Sequence, residues 1–125
     1  MATDTLEIRT TLTVEQVKQI FRSTLQAFSK KVEFGAILSS DNPFDEPMDF
    51  TAYASLKTFT GGWVVQIYVA DHEGVRSVAL VPVGSSALGR AVGGLKNTYS
   101  RSAGREKAGT VLDRLRAADP ALTTA

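Results

Sequence analysis

Residues 50–81 constrain the fold more than any other part of the chain. One run alternating apolar and polar side chains, FTAYASLKTF (50–59), and two largely apolar runs, WVVQIYVA (63–70) and VRSVALV (75–81), are separated only by TGG (60–62) and DHEG (71–74). Period-two alternation marks strands with a buried face, and glycine-closed connections this short permit only hairpins. The earlier run VEFGAIL (32–38) places Val32, Phe34, Ala36 and Leu38 on one side and reads as a further strand. These four strands are expected to form an antiparallel meander. SSDNPFDEPMD (39–49), with two prolines and four acids, reads as a loop within it.

The flanks supply the second layer. LEIRTTL (6–12) alternates and reads as a first strand, followed by a helix over 13–30 with strong start signals. Thr13 is the expected N-cap, Gln16 closes a capping box three residues on, and Leu12 can staple onto Val17. Val14, Val17, Phe21, Leu25 and Phe28, with Ile20 beside them, form one apolar stripe. A C-terminal helical segment is expected over 85–118. Leu88, Val92, Leu95 and Tyr99 share one side of it, whereas Ala108, Val111, Leu112 and Leu115 fall roughly opposite. A break at Gly93-Gly94 or within SRSAG (100–104) resolves that conflict. Asp119-Pro120 ends the segment, leaving residues 1–5 and 119–125 as expected frayed tails.

The order β-α-β-β-β-β-α(α) favours an α+β fold, a two-layer sandwich of helices on a four- to five-stranded antiparallel sheet. In the strand at 63–70, Trp63, Val65, Ile67 and Val69 occupy one face. Val64 and Tyr68 occupy the other, which the reading shares with Val78 and Leu80. A sheet wetted on its far side would be more polar there, so a cover is expected: the C-terminal helices, a ligand or a second subunit.

Composition then narrows the function. The 125 residues suit one domain, 1–125, with about two-thirds of the unfolded chain's surface buried on folding. There is no cysteine, which excludes disulfides, thiolate nucleophiles and cysteine-zinc sites. No apolar run approaches the ~20 residues of a membrane span, and the polar opening MATDTLEIRT does not read as a secretory leader. A soluble, cytoplasmic protein is expected. The net charge of +1 conceals a balance of −3 over residues 1–83 and +4 over residues 84–125.

Enzymatic chemistry finds little support. Gly84 and Gly89 stand five apart after a strand, but Arg90 replaces the phosphate-reaching lysine of a P-loop and Ala91 its magnesium-binding hydroxyl. Ser85 or Ser86 as a helix N-cap explains the loop more simply. His72, the single histidine, lies between Asp71 and Glu73 in an expected exposed turn, whereas acid–base catalysis needs a sheltered site. Asp41, Asp45, Glu46 and Asp49 lack calcium-loop spacing, and no hydroxyl nucleophile has a credible base. No cofactor or metal is expected.

The sequence therefore reads as a non-enzymatic interaction module. The expected contacts are Tyr53, Val64, Tyr68, Val78 and Leu80, and homodimerisation through that sheet face is the simplest version. One alternative is a carrier holding a small apolar or amphiphilic ligand between sheet and helix, with Tyr53, Tyr68 and Phe59 lining the cleft. The other is a nucleic-acid accessory protein, or a module for another acidic partner, using Arg90, Lys96, Arg101, Arg105 and Lys107. Cations bordering an apolar stripe can equally lay their stems over the core edge. A membrane-surface helix is disfavoured by its shortness and its lack of Trp and Phe.

Overall fold

The computed structural model describes residues 5–36, 48–58, 61–72, 74–82 and 101–124. In chain order the elements are β1 (Leu6–Thr10), α1 (Val14–Gln26), β2 (Glu33–Gly35), β3 (Phe50–Thr58), β4 (Gly61–His72), β5 (Val75–Pro82), α2 (Arg101–Ala118) and β6 (Thr123–Thr124). The strands form one antiparallel sheet in the order β2-β3-β4-β5-β1-β6, and both helices pack against it. This is the expected α+β fold. The helix expected over 13–30 runs from Val14 to Gln26, and the long C-terminal segment is described as α2 from Arg101. Its first half, with Leu88, Val92, Leu95, Tyr99 and the Gly93-Gly94 break, lies outside the described residues.

α1 starts where its local chemistry dictates. The Thr13 hydroxyl accepts from the Gln16 amide at 3.1 Å, and the Gln16 side chain accepts from the Thr13 amide at 2.8 Å. Two of the amides that a helix start leaves unpaired are thereby satisfied. Val17, Phe21 and Leu25 from this helix, and Ala108, Val111 and Leu115 from α2, are completely buried. α1 lies against β3, while α2 crosses β4 and β5 and packs beside α1. Gly104 permits that crossing, because a Cβ there would stand 3.0 Å from the Val64 carbonyl oxygen and 3.2 Å from the Pro82 side chain.

The register settles which side chains share a face. Val69 pairs with Val78, Ile67 with Leu80, and Ile8 of β1 with Val78, so all of these face the helices. Val78 and Leu80 therefore belong to the principal core with Trp63, Val65 and Ile67, and not to the face of Val64 and Tyr68. Tyr68 pairs instead with Ala79, and Gln66 with Val81. Both parities of β5 are apolar, so hydropathy alone cannot choose between them. A one-residue slip exchanges the faces, and register decides.

Two further expectations change. β4 continues through His72, which pairs with Val75, and the turn is tightened by Gly74 at φ 92°. His72 thus ends a strand, exposed, where a turn residue was expected. The tail after α2 is anchored where fraying was expected: Leu122 is buried in the core, and Thr123 pairs with Arg9. The local signal, Asp-Pro after a helix, marks where the helix stops but carries no information about what the following residues bind.

Candidate functional site

The helix layer separates charge. Residues 14–31, which comprise α1 and the turn after it, together with α2 at 101–118, carry nine basic and three acidic residues, a balance of +6. The other described residues balance to −2, with three basic and five acidic residues. Arg22, Lys30, Lys31, Arg105, Arg114 and Arg116 are all exposed. The principal core side chains point inward to the sheet, so the layer presents these six cations outward.

Three of the cations sit over aromatic rings. Lys18 Nζ lies 5.7 Å from the ring centre of Phe50, and the Arg22 guanidinium 6.0 Å from that of Phe34. Lys107 Nζ approaches closer, 4.3 Å from the ring centre of Phe28. At such distances a cation gains from the ring quadrupole while its stem covers apolar surface. Lys107 also pairs with Glu106 at 3.3 Å.

Phe28 is the focus of this arrangement. It follows the last turn of α1, its amide donating to the Leu25 carbonyl at 3.2 Å. Its ring stands edge-on to Trp63 at 6.3 Å and 74°. Trp63 is only 4% exposed, whereas Phe28 is 42% exposed, a large apolar ring on a charged surface. Lys30 and Lys31 follow it in the turn that Ser29 closes, its hydroxyl accepting from the Lys31 amide at 3.1 Å. The helical spacing assigned Phe28 to the buried stripe; the helix ends at Gln26, so the ring leaves that stripe.

The opposite face of the sheet is a second packed layer. Tyr68 and Ala79 form its buried centre, with Met48, Tyr53 and Val81 against them. The Tyr68 hydroxyl donates to Gln66 Oε1 at 3.0 Å, and Gln66 and Ser55 are buried there too. Tyr53 is half-buried, and its ring lies across Gly35, where a Cβ would approach it to 2.5 Å. Val64, Tyr68, Val78 and Leu80 are each no more than 1% exposed within a single chain. The four residues are thus split between two faces and are interior on both.

Of the expected basic residues, Arg90 and Lys96 lie outside the described residues. Arg101 begins α2, Arg105 is exposed on it, and Lys107 is half-buried over Phe28. α1 and its turn contribute Lys18, Arg22, Lys30 and Lys31, which the sequence reading did not group with them. Within the acidic loop, Asp49 has a local role: its carboxylate accepts from the Asp71 amide at 2.6 Å. Among the described residues, no cluster of His, Asp or Glu is placed to hold a metal ion, and no helix is long and apolar enough to cross a membrane. Compared with known proteins, the chain matches no family model, no curated protein and no solved structure, so its function has to be argued from its own residues.

Proposed function

We propose that the protein is a non-enzymatic binding module whose helix layer docks an acidic partner. The observation that carries this reading is the concentration of positive charge, +6 on the helix layer against −2 on the other described residues, in a chain whose net charge is only +1. A field concentrated in this way steers an anionic partner toward the helix layer. Six exposed cations supply the attraction, and half-buried stems such as that of Lys107 hold part of it in place.

The test uses heparin as a generic polyanion, titrated into the full chain at 50–200 mM salt (concentrations chosen within the usual range for such interactions). The expected result is binding that weakens steeply with salt and is lost when Arg105, Arg114 and Arg116 are all replaced by Glu. Absence of binding at the lowest salt, or indifference to the triple reversal, overturns the proposal.

A second reading is the carrier of a small apolar or amphiphilic ligand, expected between sheet and helix with Tyr53, Tyr68 and Phe59 lining the cleft. Tyr53 and Tyr68 lie instead on the face away from α1 and α2, where Tyr68 is 1% exposed and its hydroxyl is taken up by Gln66, so a ligand there would have to part a packed layer. Native mass spectrometry of freshly purified protein separates the readings. Extra mass released on activation supports the carrier, whereas a bare chain removes its support. A dimer in the same spectrum would direct the search to a self-association surface other than Val64, Tyr68, Val78 and Leu80.

A further inference from the structure

We propose that the acidic partner is a single-stranded nucleic acid, docked along the margin of α1, with a base stacked on Phe28 and phosphates held by Arg22, Lys30 and Lys31. This inference rests on the acidic-partner reading and specifies its chemistry. Charge alone would suit any polyanion. What narrows the choice is a ring that is 42% exposed, followed two and three residues later by exposed lysines.

Leaving a phenylalanine ring in water is unfavourable, and the carboxylates of an acidic peptide do not themselves carry an aromatic face to cover it. A nucleic-acid duplex presents phosphates but keeps its bases stacked inside. Unpaired bases on a charged backbone supply both features at once, and aromatic platforms beside basic grooves are how such strands are held. The same pairing of cation and ring recurs with Lys18 at Phe50 and Arg22 at Phe34, both rings being half-buried, Phe34 on the edge strand β2 and Phe50 on β3 beside it. The edge-on contact with Trp63 fixes the Phe28 ring in advance, so less side-chain entropy is lost when a base arrives. Lys107 Nζ already sits over one face of the ring, 4.3 Å from its centre, so a stacked base takes the other face or displaces it.

The experiment titrates a fluorescein-labelled oligothymidylate of about 20 nucleotides with the full chain, following anisotropy as salt is varied. Three engaged phosphates give an expected slope of about −2 in log affinity against log salt. Phe28→Ala is expected to weaken binding about tenfold without changing that slope, because a stacked ring carries no charge. Phe28→Tyr retains the platform and should bind as the unmodified chain does, which separates loss of stacking from loss of fold. Lys30→Ala with Lys31→Ala should flatten the slope by about 1.4. Trp63, the single tryptophan, reports occupancy at Phe28 through its fluorescence.

A duplex of the same sequence should bind more weakly than the single strand. Heparin binding with no preference for single strands and no effect of Phe28→Ala overturns this inference while leaving the acidic-partner reading in place. Failure of heparin and oligothymidylate alike overturns both.

Discussion

The Thr10 hydroxyl donates to the carboxylate of Asp119 at 2.7 Å, joining residues 109 positions apart in sequence. The same carboxylate accepts from the Thr11 amide at 3.0 Å and the Ala121 amide at 3.1 Å. One side chain thus fastens the segment after α2 to the end of β1.

This geometry makes stability depend on acid. The Thr10 hydroxyl, then the amide of Thr11, hold the Asp119 carboxyl below its ordinary value of 3.8, against an opposing effect of burial. A carboxyl with a depressed folded-state value contributes stability that is complete above its unfolded value and lost as pH falls through the folded one. Asp119→Asn is therefore expected to lower the urea midpoint at pH 7. The deficit should narrow below about pH 4 and close at still lower pH. A deficit independent of pH would sink this account.

Two glycines of α2 should respond in opposite directions. At Gly104 an added methyl meets the Val64 carbonyl and Pro82, neither of which can swing aside, so Gly104→Ala should cost about 1–3 kcal/mol. At Gly109 a Cβ meets nothing within 4 Å, and Gly109→Ala should stabilise by roughly 0.5–1 kcal/mol through helix propensity. Thermal melts of the two variants provide the check.

Phe21 and Phe28 provide another contrast. Phe21 is fully buried, so Phe21→Ala should destabilise by about 3–5 kcal/mol. Phe28 is 42% exposed and its main aromatic contact is the edge-on pair with Trp63, so Phe28→Ala should cost only about 1 kcal/mol. Equal losses in chemical denaturation would mean that Phe28 is a core residue and not a platform.

Behind the sheet, Tyr68→Phe keeps the ring and removes the donor to Gln66 Oε1. Leaving a buried amide oxygen without that partner should cost about 1–2 kcal/mol. Gln66→Leu added to Tyr68→Phe should recover part of the loss, since it removes the orphaned acceptor as well. A double variant weaker than the single one by denaturant midpoint would show that Gln66 has a further role.

Legibility followed the range of the interaction involved. The start of α1 is visible because Thr13 and Gln16 act within one turn, and the strands at 50–81 are visible because short apolar runs and the glycine turns between them are local. The placement of β1 between β5 and β6 is not, since nothing near Leu6–Thr10 specifies partners at Leu80 or Thr124. The face shared by Val78 and Leu80 depended on a register that two apolar parities left open. At the candidate site, α2 advertised Arg105 and Lys107 as a basic run. Lys18, Arg22 and Lys31 were hidden because their grouping with α2 exists only after the two helices pack side by side. Phe28 was misplaced by a helix that ends one turn sooner than its hydropathy suggests.

The position of β1 in the sheet also has a consequence during synthesis. β1 leaves the ribosome before its partners: β5 emerges some seventy residues later and β6 later still. At a synthesis rate of roughly 5–20 residues per second, that strand waits several seconds with Leu6 and Ile8 unshielded. The nascent chain thus has a vulnerable interval that the finished protein does not. Holding factors that recognise short apolar strands should engage it there, and release should coincide with closure of the Asp119 fastening.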